Sequence, residues 1–342
     1  MLQRRTARKP AFASVFGYSP RLNRRSFIPA EPFRHGEGPQ DGFTLLEMMV
    51  SLAILLIVTG AVLSGLIQSM NAQGTIANRT GMHRNVRNAT ELLQQEIGQA
   101  GRIALPAAVT LTGAVATGTQ TASVSSSSGM FVNMYLNVDT GANYEIVQVT
   151  AVGTNTFTAQ FVYAHASGAP VVVSGSFGTG IVPPAAAPTS YPNGSTGSVL
   201  KLYGDINRDG KILYVEYTCS PGTSSAPGFL YRNEISFTAA SKPAVSAGLV
   251  LLNNLLPNPD GSACFIYQTD SGMSGNTYVV DVAVTLTVQT QEPDPQTHQL
   301  QQETKALLNV SPRNVFEAWE LDNASSLLRI QPMPASVTAL LP

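Results

Sequence analysis

Charge is scarce in this 342-residue chain: Asp, Glu, Lys and Arg make up 12% of it, about half the usual share. Ser, Thr, Gly, Ala and Asn are plentiful instead. That balance suits an exported, strand-rich surface protein better than a cytosolic enzyme. Histidine is also rare, with His35, His83, His165 and His298 far apart in the chain. No nucleophile elbow, phosphate loop, HExxH or CxxC is present. No spacing demands catalysis, so the chain is expected not to be an enzyme and to require no cofactor. His165 reads as an exposed loop residue rather than a ligand, because no second His, Cys or acid cluster accompanies it in sequence. Only two cysteines occur, Cys219 and Cys264. They leave two readings open: a disulfide in an oxidising compartment, or two unpaired small apolar residues in a core.

The net charge of -1 hides an asymmetry. Residues 1–42 carry eight basic and three acidic side chains, a net +5, which leaves -6 on residues 43–342. A nucleic-acid partner is not expected for an acidic main body. No charge occurs between Met48 and Asn78. The most apolar part, Met48 to Ile67, has 20 residues. As a helix rising about 1.5 Å per residue it spans roughly 30 Å, the thickness of a bilayer core. No small-residue cleavage site follows it, as a secretory signal would need. The basic leader places the N-terminus in the cytoplasm and the bulk of the chain outside. One acid, Glu47, stands at the mouth of this run. A carboxylate is costly in lipid, so it is held at the interface by the helix dipole or meets a cation.

The stretch "GFTLLEMMVSLAILL", from Gly42, resembles the N-terminus of type IV pilins and type II secretion pseudopilins. The likeness covers the glycine, the aromatic after it, the Thr-Leu, the glutamate and the apolar run. It implies that a prepilin peptidase cuts between Gly42 and Phe43 and N-methylates Phe43. Glu47 then becomes the fifth residue of the mature chain. In a filament of packed apolar helices, its carboxylate would neutralise a neighbour's terminal ammonium and so favour one axial register. Asp41 stands just before the glycine, where the family usually has a basic residue nearby, and the leader is long for the family.

Beyond Ile67 the pattern turns amphipathic. Met82, Val86, Ala89, Leu93 and Ile97 recur at helical spacing, with Arg84, Arg87, Glu91 and Glu96 mostly off that stripe. Gly101 is a natural stop and Pro106 bars continuation. The stretch "NATELLQQEIGQAGR" resembles the region after the membrane helix in PilW-like minor pilins and J-type pseudopilins. Further on, apolar alternation between Gly/Ser/Thr/Pro breaks predicts strands. Residues 131–175 resemble small β-modules of bacterial and phage surface proteins. The stretch "TYVVDVAVTLTVQT" followed by "LQQETKALLNVSPRNVF" resembles the closing strands of minor pilins, which end near an Arg-Asn pair, here Arg313-Asn314.

"DINRDGKILYVE" fits a calcium-loop pattern. Asp205, Asn207, Asp209, the Lys211 carbonyl and Glu216 would be the ligands, and calcium the one cofactor this chain would take. Against that, Lys211 to Thr218 alternates like a strand, which would carry Glu216 away. The plain reading is an Asp/Asn/Gly turn.

The expectation is therefore an α+β, pilin-like fold. A long N-terminal helix packs on an antiparallel β-rich domain with a small inserted β module. The expected boundaries are a cleaved leader (1–42), a helix (43–105, with 43–67 in the membrane or filament core), a linker (106–130) and the module (131–175). A loop (176–197), the β-rich domain (198–314) and a C-terminal tail (315–342) follow. The resemblance implies a minor pilin with a structural role in filament assembly, initiation or at the tip. It would cross the bacterial inner membrane once, with its C-terminal domain in the periplasm before assembly. Its partners would be other major and minor pilins, prepilin peptidase and the inner-membrane assembly platform. The alternatives are a J-type minor pseudopilin of type II secretion and a single-pass anchored, adhesin-like binding protein.

Overall fold

A computed structural model describes residues 42–185 and 193–342, apart from the side chain of Leu308. The leader lies outside the described residues except for Gly42. The chain forms two compact units, one ending at Ala61 and one running from Val62 to Pro342.

Helix α1 runs Leu45–Gln99. Its uncharged first part is long and apolar enough to cross a membrane. Every side chain from residue 42 to 70 is exposed. Burial begins where the helix turns amphipathic, on the stripe Met82, Val86, Ala89, Leu93 and Ile97. At Gly101 the backbone turns left-handed, with φ +81°; its N–H donates to Tyr203 O at 2.9 Å and its carbonyl accepts Phe177 N–H at 2.8 Å. A Cβ there would sit 2.7 Å from Phe177 O, so only glycine fits.

Six strands follow: β1 (Val109–Thr110), β2 (Gly118–Ser123), β3 (Tyr135–Val138), β4 (Glu145–Gly153), β5 (Thr156–Phe161) and β6 (Pro170–Val173). They pair in the order β1-β6-β3-β4-β5-β2. Thr112 N–H to Ser123 O (2.8 Å) and Ser125 N–H to Thr110 O (3.0 Å) join the two edges, closing the sheet on itself. Alternate residues fill the interior, among them Leu136, Val138, Val147, Val149, Phe157 and Phe161. The segment 106–130, expected as a linker, supplies β1 and β2, so the module begins near Val109 and not at 131. β1 has two residues and β2 is rich in Ser and Thr; each has its own partner, β6 and β5, and closure of the barrel joins their free edges.

β7 is Ser176–Phe177. A seven-stranded antiparallel sheet then comprises β8 (Val199–Gly204), β9 (Leu213–Ser220), β10 (Gly228–Ser236), β11 (Val250–Leu256), β12 (Phe265–Ser271), β13 (Thr277–Gln289) and β14 (Gln302–Val310). Its order is β12-β13-β11-β10-β9-β8, with β14 on β13. The stripe of α1 packs on this sheet against Val215, Tyr217, Leu230, Leu252 and Val282. The fold is thus α+β, with a long apolar N-terminal helix and an antiparallel β-rich domain. The turn between β13 and β14 also grips α1. Thr75 Oγ1 donates to Asp294 Oδ1 (3.0 Å) and Arg79 Nε to Gln301 Oε1 (2.5 Å).

The tail, expected from 315, contributes α2 (Arg313–Asn323), β15 (Ile330–Gln331) and α3 (Ala335–Leu340). β15 pairs in parallel with β7, inside the 176–197 segment expected as a loop. Gln331 reaches the barrel as well: its Nε2 donates to Tyr135 O (2.7 Å) and its Oε1 accepts Tyr135 N–H (2.9 Å).

Candidate processing and assembly site

The signal occupies the start of α1. Thr44 is the N-cap, Leu45 the first helical residue, and Glu47 the third. Thr44 N–H and Thr44 Oγ1 both donate to Glu47 Oε2, at 3.0 and 3.1 Å. Glu47 N–H donates back to Thr44 Oγ1 at 3.2 Å. This reciprocal pair is a capping box, which satisfies two orphan donors of the first turn. The Thr-x-x-Glu spacing signals it in the sequence, although Glu47 drew notice there only as the acid at the mouth of the apolar run and through the resemblance. Phe43 precedes the cap and is 84% exposed, and Gly42 is exposed beside it. The cut expected between them would place a new ammonium one residue before the cap. Among the described residues, Glu47 has no cationic partner.

The second glutamate of interest was not found from the sequence. Glu96 belongs to the buried side of α1 and is 3% exposed. Its carboxylate accepts the Tyr217 hydroxyl at 2.5 Å and Arg232 Nε at 3.1 Å, and pairs with Arg232 Nη2. Burial raises the Tyr217 pKa, and the Glu96 charge raises it further. Burial works against the Arg232 charge, but its hydrogen bond and attraction to Glu96 more than offset it, so that pKa is raised. By spacing Glu96 belongs with Arg84, Arg87 and Glu91, which lie mostly off the stripe; it sits one residue before Ile97, facing a sheet that supplies a cation. Only the tertiary pairing reveals that partner.

The loop expected to take calcium does not gather its five ligands. Asp205 is fully buried; its Oδ1 accepts Gly210 N–H (3.1 Å) and its Oδ2 accepts Arg102 Nε (3.2 Å). Asp209 Oδ1 accepts Lys211 N–H at 3.0 Å, and Asn207 is exposed. Glu216 lies on β9, where it accepts the Tyr214 hydroxyl (2.7 Å) and Lys242 Nζ (2.6 Å). The extended strand carries it away from the turn at about 3.3 Å per residue. The loop instead clamps the end of α1: Asp205 N–H donates to Arg102 O at 2.8 Å and Arg208 Nε to Gln99 Oε1 at 3.0 Å. Among the described residues no group of three His, Cys, Asp or Glu side chains is placed to hold a metal ion.

His165 also differs from its reading as an exposed residue. It is 2% exposed, with Nδ1 3.1 Å from Asp139 Oδ2 and Nε2 2.7 Å from Glu145 Oε1. Glu145 shares the inward face of β4 with Val147 and Val149, so strand alternation points it into the barrel. The acids lie 26 and 20 residues away in sequence, which hid them. Both ring nitrogens are engaged, so the ring is a strut within the barrel and not a free ligand. Cys219 and Cys264 are joined in a disulfide, with Cα atoms 6.5 Å apart.

Residues 39–63 match the family model of the prokaryotic N-terminal methylation motif. The chain carries a type IV pilin-like prepilin signal. The match spans the Gly42-Phe43 junction, the Thr44–Glu47 capping box and the apolar run as far as Leu63. Such a signal marks a pilin-like or pseudopilin precursor of the kind that prepilin peptidase processes. With the membrane-capable helix that follows, it supports anchoring in the inner membrane. No curated protein and no solved structure matches the chain.

Proposed function

We propose that this chain is a minor pilin, a low-copy subunit of a type IV pilus whose work is structural rather than catalytic. Prepilin peptidase removes residues 1–42 and methylates Phe43. The mature chain waits in the inner membrane with its β-rich domain in the periplasm. It then enters the filament among other major and minor pilins, through the assembly platform. One observation carries the reading: a complete prepilin signal heads a helix whose most apolar part buries nothing within the chain. Residues 42–70 leave their side chains exposed, although Met48 to Asn78 carries no charge. Water is the wrong solvent for such a surface, and lipid or sister helices are the right one.

Glu47 supplies the register. Among the described residues its carboxylate is held by Thr44 alone. In a stack of apolar helices a lone charge is expensive, and a neighbour's N-terminal ammonium is the cation that relieves it. The 300 residues that follow Gly42 favour a low-copy position over a subunit that tiles the whole filament. Intact-mass measurement tests the proposal. A mature N-terminus at methylated Phe43 in cells with prepilin peptidase, and at Met1 without it, is expected. A chain beginning at Met1 in both sinks it and favours a single-pass anchored protein instead.

A further inference from the structure

The barrel segment is almost without charge. Residues 106–175 contain no Lys or Arg, and their only acids are Asp139 and Glu145. His165 engages both. Asp139 Oδ1 also accepts Thr140 N–H (2.7 Å), and the Glu145 carboxylate accepts Val162 and Tyr163 N–H (2.8 and 3.0 Å). Charge is the ordinary means of keeping an exported surface soluble and unassociated. This segment presents hydroxyls, amides and scattered apolar groups instead.

Part of that surface is ordered into a face. Leu136, Val138 and Val147 point into the barrel, so the residues between them point out. Strand register sets Ile146 beside Asn137 and Asn137 beside Val172, with Gln148 beside Tyr135. Tyr144, just before β4, is 45% exposed, and Val172 is 53% exposed. The Tyr144 hydroxyl donates to Asn137 Oδ1 at 3.1 Å, which tethers the ring to β3. That bond uses the Asn137 oxygen and leaves its amide N–H groups to donate. From β4 across β3 to β6 the face is two strand spacings wide, roughly 10 Å. Its frame is stiff, because the barrel is closed and His165 anchors Glu145, the residue next to Tyr144.

Chemistry selects the occupant. A polyanion would find no Lys or Arg in this segment, and a polycation would find both acids engaged. An acyl chain would strip water from the Asn137 and Gln148 amides and replace none of their hydrogen bonds. A second copy would have to build a dimer core on two well-exposed apolar side chains, Tyr144 and Val172, which is too few. A neutral saccharide supplies both halves: C–H faces for Tyr144, Ile146 and Val172, and hydroxyls for the two amides. We infer that this outer face of the barrel binds a neutral polysaccharide, with one sugar ring stacked on Tyr144.

The test uses the full chain in a zwitterionic detergent without a sugar headgroup. Saturation-transfer NMR is recorded with the tetrasaccharides of cellulose, chitin and amylose, and with tetragalacturonate as the anionic counterpart. Saturation of at least one neutral tetrasaccharide, and none of tetragalacturonate, is expected. Tyr144→Ala should weaken that binding about five- to tenfold, as loss of an aromatic anchor does, and leave Tm unchanged because the ring is exposed. Tyr144→Phe keeps the ring and should retain most of the binding, while Val172→Lys should weaken it. Three results would overturn the inference: no signal from any neutral tetrasaccharide, equal saturation of tetragalacturonate, or binding untouched by both Tyr144→Ala and Val172→Lys. A dimer in sedimentation that Tyr144→Ala dissolves would also overturn it and give the face to a second copy. A chain that kept its leader would defeat the filament reading and leave this test standing.

Discussion

The two halves of α1 invert the usual relation between apolarity and burial. Residues up to Met70 are the most apolar in the chain and bury no side chain, while the charged and polar half from Asn71 onward is the half that packs. Each half holds one telling glutamate. Glu96 finds its hydroxyl and its cation within the chain, on β9 and β10. Among the described residues, Glu47 finds only the threonine three residues before it. The same side chain on the same helix is a finished contact in one place and an unfinished one in the other.

The largest effect separates the two acids by readout. Glu47→Ala should abolish incorporation into filaments while cleavage at Gly42 and the thermal stability of the domain stay unchanged. Normal assembly of that variant would remove charge pairing from the mechanism. Glu96→Ala should do the reverse, leaving the Tyr217 hydroxyl unpaired and Arg232 with Glu234 as its remaining carboxylate, and destabilising the domain by about 2–3 kcal/mol in denaturant unfolding. A loss under about 1 kcal/mol would show that the pair is no better than a surface one.

The remaining effects test the scaffold. Replacing Cys219 and Cys264 together by Ala should cost about 2–4 kcal/mol, since their bond closes a loop of 45 residues. Thr44→Ala removes the cap and should cost about 1 kcal/mol of local helix stability, seen as faster amide exchange at Leu45 to Glu47. In the barrel, a hydrogen bond from His165, then one from Thr140 N–H, holds the Asp139 pKa below its ordinary value. A carboxylate lowered on folding stabilises above its unfolded pKa, about 3.9 for Asp, and loses that contribution as pH falls through the folded value. Melting temperature should therefore drop on acidification below that point, and Asp139→Asn should flatten the drop.

Much of α1 was legible because a helix writes its environment in local spacing. The stripe Met82 to Ile97, the stop at Gly101 and the run after Glu47 each depend on residues within a few turns. Its capping box went unread, although Thr44-x-x-Glu47 before an apolar run is the local pattern of one. The barrel was less so. β1 and β2 are short, and their partners lie dozens of residues on, at β6 and β5. The calcium pattern misled because the Asp205–Gly210 turn matches the first half of such a loop. Only the strand that follows it decides where Glu216 goes.

By itself, the sequence determined the things set by local chemistry: an apolar helix, its acid, the glycine-phenylalanine junction and the alternation of strands. Tertiary structure alone decided which charges are spent inside the chain. His165 meets Asp139 and Glu145, Glu96 meets Arg232, and the tail returns to β7 only when distant segments share a core. The reason is that hydrogen bonds and ion pairs act over a few ångströms of space, whatever the length of chain between the partners.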